Sequence, residues 1–472
     1  MKRINNKFLI TVVSIVLLIS GCKKSYLDKA PSDSLLSDQA LNTIAGLKDA
    51  LNGAYSAMRS ATLFGRDFPV SGDLQADNTF VETKNAGRYL PQYNYSVVVN
   101  DGVVGEMWND SYLVILRANR ILETRLTGAD VDKVKAEASA IRALMYFKLV
   151  NIYAKPYSDD PSSLGVPLIL KYNPFLYPSR NTVKEVYTQI VADLTTAILL
   201  ASDYTSSVRL SKYAIKAILA KVYLYMGDNT NAKTTAADVI SNSGFQLTTP
   251  ANYQAFWGNP NIRTDKLETL FEVDADVINN NGFDDLGGIY INGYQDLYAS
   301  KQLVALYGTT DIRNTVLVNG FTKSGATAVL VNKYSNAQNG NRDNLKVIRL
   351  SEVYLIAAEA SLPGNEAVAL SYLNGLVANR DPGLMYASTG AALLNDIVTE
   401  RRKELAFEGD RFYDLNRLKQ PIVRVSNAGA IPAGTGNINL TVPYSDYRRI
   451  APIPQGEIQV NKNIAGQQNP NY

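Results

Sequence analysis

The chain has 472 residues, 46% of them hydrophobic, and a formal net charge of +3, so it can bury a large core and lacks the basic excess of nucleic-acid-binding domains. It has no histidine and one cysteine, Cys22, which excludes internal disulfides, thiolate or imidazole metal sites and catalysis by an imidazole base. A pair of carboxylates, as in glycoside hydrolysis, is the enzymatic chemistry that this composition still allows.

The N-terminus has the pattern of a bacterial lipoprotein signal. A basic start with Lys2, Arg3 and Lys7 precedes an apolar run at residues 8–20, and Ile19-Ser20-Gly21-Cys22 fits a lipobox. The run is shorter than the roughly 20 residues that a membrane-spanning helix needs. We therefore predict that residues 1–21 are cleaved and that acyl chains on Cys22 anchor the mature chain to a membrane. A plain signal peptide with an incidental cysteine is the alternative.

Four segments have apolar residues at helical spacing, namely residues 132–153, 182–202, 211–226 and 231–240. In the first, one stripe contains Val134, Ala138, Ile141, Met145, Leu149 and Ile152. Residues 211–240 resemble a tetratricopeptide-type hairpin with Gly227-Asp228 at its turn, and residues 347–379 resemble a second hairpin. The pattern predicts a mainly α, solenoid-like fold of tetratricopeptide-like helical hairpins.

Long irregular segments separate these hairpins, at residues 65–104, 244–327 and 428–440. Short pieces within them, at residues 93–99, 245–249 and 267–273, have β-like composition. Many of the 29 tyrosines fall in such polar segments. Aromatic rings beside Asn and Asp side chains suit stacking on sugar rings, although a half-buried structural role is the alternative for each tyrosine.

A dense run of charge lies at residues 400–417. Glu404 and Glu408 are four residues apart and would share one face of a helix, so they could be read as a catalytic carboxylate pair. Interleaved arginines would keep both carboxylates ionised, whereas a general acid must be protonated in order to donate a proton. We therefore interpret the run as a salt-bridged helix end, with Gly409 as the residue that terminates the helix.

A series of motifs extends along the chain. They are, in order, the lipobox; Gly72-Asp73 and Ala76-Asp77; Trp108, Tyr112 and RANRIL at residues 117–122; EASAIRALMYFKLVNIYAKPY at 137–157; NTVKEVYTQIVADLTTAI from 181; LYASKQLVALY and DIR within 297–313; VIRLSEVYLIAAEA from 347; ERRKELAFEGDRFYDLNR at 400–417; and IAPIP with QNPNY at the end. Taken together, these motifs resemble the SusD/RagB family of Bacteroidetes outer-membrane lipoproteins over essentially the whole chain. One departure is Asn471, where Asn-Pro-Gly-Tyr is more usual in the family.

The resemblance implies one SusD-like domain, residues 22–472, in which a part at about 22–240 packs against a part at about 241–472. It also implies four tetratricopeptide-like helix pairs arranged as a right-handed superhelix, with a few short β-hairpins and a loop-rich, glycan-binding face. The family captures nutrients at the cell surface and has a SusC-like TonB-dependent barrel as its partner. An outer-membrane location facing the exterior and the absence of catalysis follow from the resemblance rather than from the residues.

No motif fixes the ligand-contacting residues, so we predict them from loop position and chemistry. The candidates are Asp73, Asp77, Asn78, Tyr89, Tyr93, Trp257, Tyr290 and Tyr294. Residues 279–285 (NNNGFDD) offer hard oxygen ligands for a structural calcium ion, but they lack the spacing of an EF-hand loop, and a solvated turn is the alternative. We predict no other cofactor and no nucleic-acid partner.

The sequence leaves three functions open. The favoured one is a lipoprotein that captures an oligosaccharide or another nutrient and delivers it to the transporter. The rivals are a lipid-anchored glycoside hydrolase with two carboxylates and a peptide-binding helical-repeat scaffold.

Overall fold

The computed structural model describes residues 41–340, 342–431 and 440–472. The predicted signal peptide and Cys22 lie outside these residues. Within them the sixteen α-helices are α1 Ile44–Met58, α2 Asp67–Leu74, α3 Leu90–Tyr93, α4 Gly102–Leu122, α5 Ala129–Tyr153, α6 Val183–Leu200, α7 Lys212–Met226, α8 Asn229–Asn242, α9 Tyr253–Trp257, α10 Leu286–Tyr290, α11 Lys301–Val304, α12 Leu350–Ser361, α13 Glu366–Val377, α14 Gly390–Glu404, α15 Arg411–Arg417 and α16 Gln455–Val460.

The long helices pack side by side in an order that largely follows the chain. Helix α4 packs on α5, α5 on α6, α6 on α7 and α7 on α8; α8 then packs on α12, which contacts both α13 and α14. Both predicted hairpins are therefore confirmed, as α7–α8 and α12–α13. The fold is mainly α, as predicted.

The helix boundaries follow local sequence signals. Thr182 caps α6 through a capping box with Glu185, in which each side chain accepts a hydrogen bond from the other residue's backbone N–H. Ser211 caps α7, and Gly227 ends it in the left-handed conformation at φ 75°. Asp228 then caps α8, so one Gly-Asp pair ends one helix and begins the next.

Helix α5 is more deeply buried than its apolar stripe indicated. All six stripe residues are buried, but so are polar residues on its other faces, including Glu137, Ser139 and Arg142. Arg142 can be buried because Asp193 of α6 accepts hydrogen bonds from its Nε and Nη2 at 2.8 and 2.7 Å. The helix is thus enclosed by α1, α4 and α6 rather than lying on a core with one face.

Eight short strands form three small sheets among the described residues. They are β1 Thr79–Val81, β2 Thr269–Val273, β3 Leu297–Ala299, β4 Leu317–Phe321, β5 Thr327–Val331, β6 Leu345–Arg349, β7 Ile422–Arg424 and β8 Leu440–Val442. One sheet has the order β1-β3-β5-β4, and β2–β6 and β7–β8 are separate pairs, all antiparallel.

The β-like pieces of the sequence had mixed outcomes. Residues 267–273 contain β2, as predicted. Residues 93–99 form no strand, because the chain ends helix α3 at Tyr93 and continues through turns, and residues 245–249 contribute only one bridge, between Gln246 and Leu267. Tertiary pairing partners, which local composition does not reveal, decide which pieces become strands.

One large hydrophobic cluster joins the N-terminal helices to the sheet and to α12 and α15, and a smaller one lies between α12, α13 and α14. In the parts of the chain that the structure describes, we found no helix with both the length and the apolar character that crossing a bilayer requires.

Candidate functional site

Seven of the eight predicted ligand contacts are buried inside the protein. Only Tyr294 is partly exposed; Asp73, Asn78 and Tyr290 are 0% exposed, and Trp257 is 1% exposed. The prediction that these side chains present a surface to a sugar is therefore wrong for Asp73, Asp77, Asn78, Tyr89, Tyr93, Trp257 and Tyr290.

The first group fastens helix α2 to the charged segment. Asp73 accepts hydrogen bonds from Asn78 Nδ2 at 2.6 Å and from the Gly409 N–H at 2.7 Å. The backbones of Gly72 and Gly409 are in direct contact, since a Cβ on Gly72 would lie 2.0 Å from the Gly409 carbonyl oxygen. Asp77 pairs with the guanidinium groups of α14 and α15. These residues hold the fold together.

Burial also changes the chemistry of Asp73. Its carboxyl has no ion-pair partner within 4.0 Å among the described residues. Desolvation by burial therefore raises its pKa to about 7, although hydrogen bonds from Asn78 and the backbone of Gly409 oppose the rise.

Of the predicted stacking residues Trp257, Tyr290 and Tyr294, the first two are core aromatics. Trp257 lies beneath cations, with Lys333 Nζ 4.4 Å and the Arg349 guanidinium 5.1 Å from its ring centroid. Tyr290 stacks on Tyr334 at 6.3 Å between centroids. Both rings are occupied by protein partners, so neither has a free face for a ligand.

Tyr294 does reach the surface, and its neighbours are the half-exposed cations Arg88 and Lys323 and the buried Asp296. The Arg88 guanidinium stacks on its ring at 3.4 Å from the centroid. The buried carboxylate of Asp296 accepts hydrogen bonds from Arg88 Nη1 at 3.1 Å and from Lys323 Nζ at 2.6 Å. Lys323 also donates to the Tyr294 carbonyl oxygen at 2.9 Å. One buried anion thus fixes two half-exposed cations around an aromatic ring.

Beside Tyr294 lies an aromatic residue that sequence reasoning missed. Phe283 is 49% exposed, and it follows the exposed side chains of Val277 and Ile278. Phe283 packs closely against the backbone of Gly288 and Gly293, which have no side chains to block it. A Cβ on Gly288 would lie 2.0 Å from the Phe283 carbonyl oxygen, and a Cβ on Gly293 would lie 3.0 Å from Phe283 Cδ1. The only sequence signal was a single aromatic residue in an Asn/Gly/Asp-rich stretch.

Loops from four parts of the chain meet here, and we call the result the Phe283–Tyr294 surface. It consists of residues 83–88, 277–284, 292–296 and 322–324. Glu82 joins the first to the last, because its carboxylate accepts a hydrogen bond from the Ser324 N–H at 2.8 Å. The exposed edge contains Lys84, Asn279 and Gly293, which adds amide and ammonium groups to the two aromatic rings.

The calcium hypothesis for residues 279–285 has little geometric support. Asp284 pairs with Arg66 at 2.6 Å, whereas Asp285 accepts a hydrogen bond from the Gly288 N–H at 2.6 Å and caps α10. Asn281 donates its amide to the Arg59 carbonyl oxygen. The oxygen atoms are therefore turned toward different protein partners. Within the described residues no group of three or more acidic, His or Cys side chains could hold a metal ion.

The charged run at residues 400–417 is a buried ionic network, as interpreted, but its helix is shorter than expected. Helix α14 ends at Glu404, and Gly409 lies in the turns that follow, with φ 88°. Glu404 and Glu408 are thus not on one helix face, and Gly409 is not the helix terminator. The sequence could not reveal this because the turns are stabilised by partners distant in the chain, such as Lys333.

This network balances five cations with five anions. They are Arg313, Lys333, Arg349, Arg380 and Lys403 with Glu268, Asp311, Glu400, Glu404 and Glu408.

Glu404 lies at the centre of the network and has no exposed surface. Its carboxylate meets Arg349 at 2.8 Å, Arg380 at 2.9 Å and Arg313 at 3.3 Å. Burial alone would raise its pKa, but the three guanidinium groups lower the pKa well below the ordinary value of a glutamate. A carboxylate held ionised away from solvent cannot act as a general acid, so the structure supports the structural interpretation of this run.

Comparison with known proteins shows which family the chain belongs to. A family model described as "Starch-binding associating with outer membrane" matches residues 25–224, and the SusD family model matches residues 292–472. A SusD-like protein, P2, of Formosa agariphila is 28% identical over 99% of this chain and 100% of its own length.

Solved structures agree over most of the chain. A SusD superfamily protein of Bacteroides thetaiotaomicron is 29% identical with a TM-score of 0.82, and the match covers 91% of this chain and 100% of that one. Another from Bacteroides vulgatus is 28% identical with a TM-score of 0.83, covering 91% and 99%. The chain belongs to the SusD/RagB family of carbohydrate-binding proteins associated with the outer membrane.

Proposed function

We propose that this protein captures a carbohydrate at the outer face of the outer membrane and passes it to a SusC-like TonB-dependent transporter, without hydrolysing it. Acyl chains on Cys22 would hold the protein at the membrane. The observation that carries the proposal is the Phe283–Tyr294 surface, an exposed aromatic and polar surface on a chain of a carbohydrate-binding family.

The composition of that surface suits sugar rings. The C–H faces of a pyranose pack on aromatic rings, and Phe283 is 49% exposed for such contact. Tyr294 contributes its ring edge, since Arg88 covers one of its faces. Hydroxyl groups at the rim of the sugar can bond to the charged and amide groups of Arg88, Lys323 and Asn279.

The surface is also pre-organised. Because Asp296 is buried and bound to both Arg88 and Lys323, these long side chains have lost much of their rotamer freedom before a ligand arrives. Pre-organisation of this kind lowers the entropic cost of binding. Capture of a flexible glycan from dilute solution benefits from such a surface.

The hydrolase alternative has less support. The carboxylates of the 400–417 run are buried and paired with arginine or lysine. On the Phe283–Tyr294 surface, Asp284 pairs with Arg66 and Asp296 is fully buried, so neither forms an exposed pair across a cleft. The peptide-binding alternative remains an outcome of the test.

The test uses the soluble form beginning at Lys23 in native affinity gels that contain a panel of polysaccharides, with released reducing ends assayed in parallel. We expect retardation by one polysaccharide and no new reducing ends. Phe283→Ala and Tyr294→Ala should remove the retardation. Phe175→Ala should keep it, because Phe175 is an 80% exposed aromatic residue of another loop and serves as the matched control.

New reducing ends that depend on one Asp or Glu would contradict the proposal in favour of a hydrolase. Retardation that survives both Phe283→Ala and Tyr294→Ala would place the binding site elsewhere. Absence of retardation with every polysaccharide, together with retention of the protein on a peptide library, would favour the scaffold alternative.

A further inference from the structure

A cavity separate from the Phe283–Tyr294 surface shares no lining residue with it. Its volume is about 430 Å³, within the roughly 300–1,000 Å³ of small-molecule sites. We call it the Tyr447 cavity; its lining includes Lys155, Asp159, Tyr444, Tyr447, Arg449 and Asn471.

Arg449 is the unusual member of this lining. It is 3% exposed, its Nε donates to Asn416 Oδ1 at 2.8 Å and its Nη1 donates to the Gln420 carbonyl oxygen at 2.7 Å. Its Nη2 is buried and has no hydrogen-bond partner among the residues that the structure describes. Most buried side-chain donors are paired, and an uncompensated buried cation is costlier still. The described protein residues therefore leave one nitrogen of this guanidinium, Nη2, without a hydrogen-bond partner.

The acidic residues nearby are already paired with other cations. Asp159 pairs with Lys419 at 3.0 Å, and Asp446 pairs with Arg448 at 2.6 Å. In the described parts of the chain no carboxylate lies within 4.0 Å of the Arg449 nitrogens. Lys155 adds a second positive charge at the exposed rim. The lining thus has two carboxylates, each already paired with a cation, and two cations, Arg449 and Lys155, without a carboxylate within 4.0 Å among the described residues. An anion placed between these two cations would be attracted to both.

Aromatic rings complete the site. Tyr447 is 40% exposed, and its ring is held edge-on against Tyr472 with 5.2 Å between centroids. The Tyr444 ring lies 5.3 Å from the Arg449 guanidinium and so borders the positive charge. Exposed side chains of Ser445 and Asn471 add hydroxyl and amide groups.

We propose that the Tyr447 cavity is a second binding site, specific for an acidic saccharide. The sugar ring packs on Tyr447, and its carboxylate or sulfate ester lies toward Arg449 and Lys155. An anionic group matches the unpaired guanidinium, and a ring with hydroxyl groups matches the exposed tyrosine with its polar rim.

The test is isothermal titration of the soluble chain beginning at Lys23 with trigalacturonic acid, a sulfated carrageenan oligosaccharide and neutral maltotriose. We expect at least one of the two acidic probes to bind ten-fold or more tightly than maltotriose, and which one binds identifies a carboxylate or a sulfate. Tyr447→Ala and Lys155→Ala should each weaken that binding at least five-fold. Both side chains are exposed, so these variants should fold, whereas Arg449 supports the fold and is left intact.

Phe283→Ala separates this site from the first one, because it should leave binding of the acidic probe unchanged. Binding that is lost in Phe283→Ala but kept in Tyr447→Ala would overturn the proposal. So would equal affinity for maltotriose and the acidic probes, or failure of both acidic probes to bind at millimolar concentration.

Discussion

Replacing Glu404 with glutamine removes the central anion of the buried network while keeping its size. At an effective dielectric constant near 20, two unit charges about 4 Å apart attract by about 4 kcal/mol. Glu404 makes three such contacts, with Arg313, Arg349 and Arg380. The desolvation cost of one carboxylate offsets only part of the summed attraction energy of these three pairs. Removing one partner of a buried ion pair costs about 3–5 kcal/mol. We expect the upper end of that range, because three cations lose their partner together.

The assay is thermal unfolding followed by tryptophan fluorescence, since Trp257 lies 5.1 Å from the Arg349 guanidinium and reports on the network. Using the average unfolding entropy per residue, a loss of about 5 kcal/mol corresponds to a fall in melting temperature of roughly 5 °C for a chain of this length. The matched control is Glu106→Gln, an exposed glutamate of α4 that should change little. Equal unfolding midpoints for the two variants would refute the reasoning that this network stabilises the fold.

Three further predictions follow from the same contacts. Folding raises the pKa of Asp73 to about 7, so the stabilisation linked to its protonation is present below the unfolded pKa of 3.8 and is lost as the pH rises through about 7. The unfolding free energy of the wild type should therefore fall by about 4 kcal/mol relative to Asp73→Asn between about pH 3 and pH 8, and a constant difference would contradict this. Gly288→Ala should displace Phe283 and abolish polysaccharide retardation, and normal binding by this variant would refute the role of Gly288. The control is Gly105→Ala, whose Cβ meets no atom within 4 Å; it should bind normally and gain about 0.5–1 kcal/mol of stability. Cys22→Ala should lose labelling by radioactive palmitate and leave the membrane fraction, and retention of label would disprove the anchor at Cys22.

The helices could be predicted from the sequence because their signals are local. Apolar spacing, the Thr182 and Ser211 caps and the Gly227 turn lie within a few residues of the boundaries they set. Asn471 is a smaller example: it adopts φ 70°, a conformation that favours glycine and that asparagine tolerates better than most residues. This explains why the chain can depart from the usual family glycine there.

Tyr294 was predicted, but the rest of the candidate site was not, because its parts come from four separate loops. Tyrosines in polar segments looked available for ligands, yet Tyr89 and Tyr290 fold inward to meet Asp67 and Tyr334. Arg88 and Lys323 are brought together only by Asp296, and neither has a local signal. The composition of the loops indicated that aromatic and polar residues would bind the ligand, but it did not show which of these side chains are exposed.

Hydrogen–deuterium exchange with and without the bound polysaccharide tests the central claim most directly, because it locates the ligand without a substitution. We expect slower exchange at residues 82–88, 277–296 and 321–326, with unchanged exchange in helices α7 and α8. Protection confined to other segments, with none at residues 277–296, would contradict the claim that the Phe283–Tyr294 surface captures the carbohydrate.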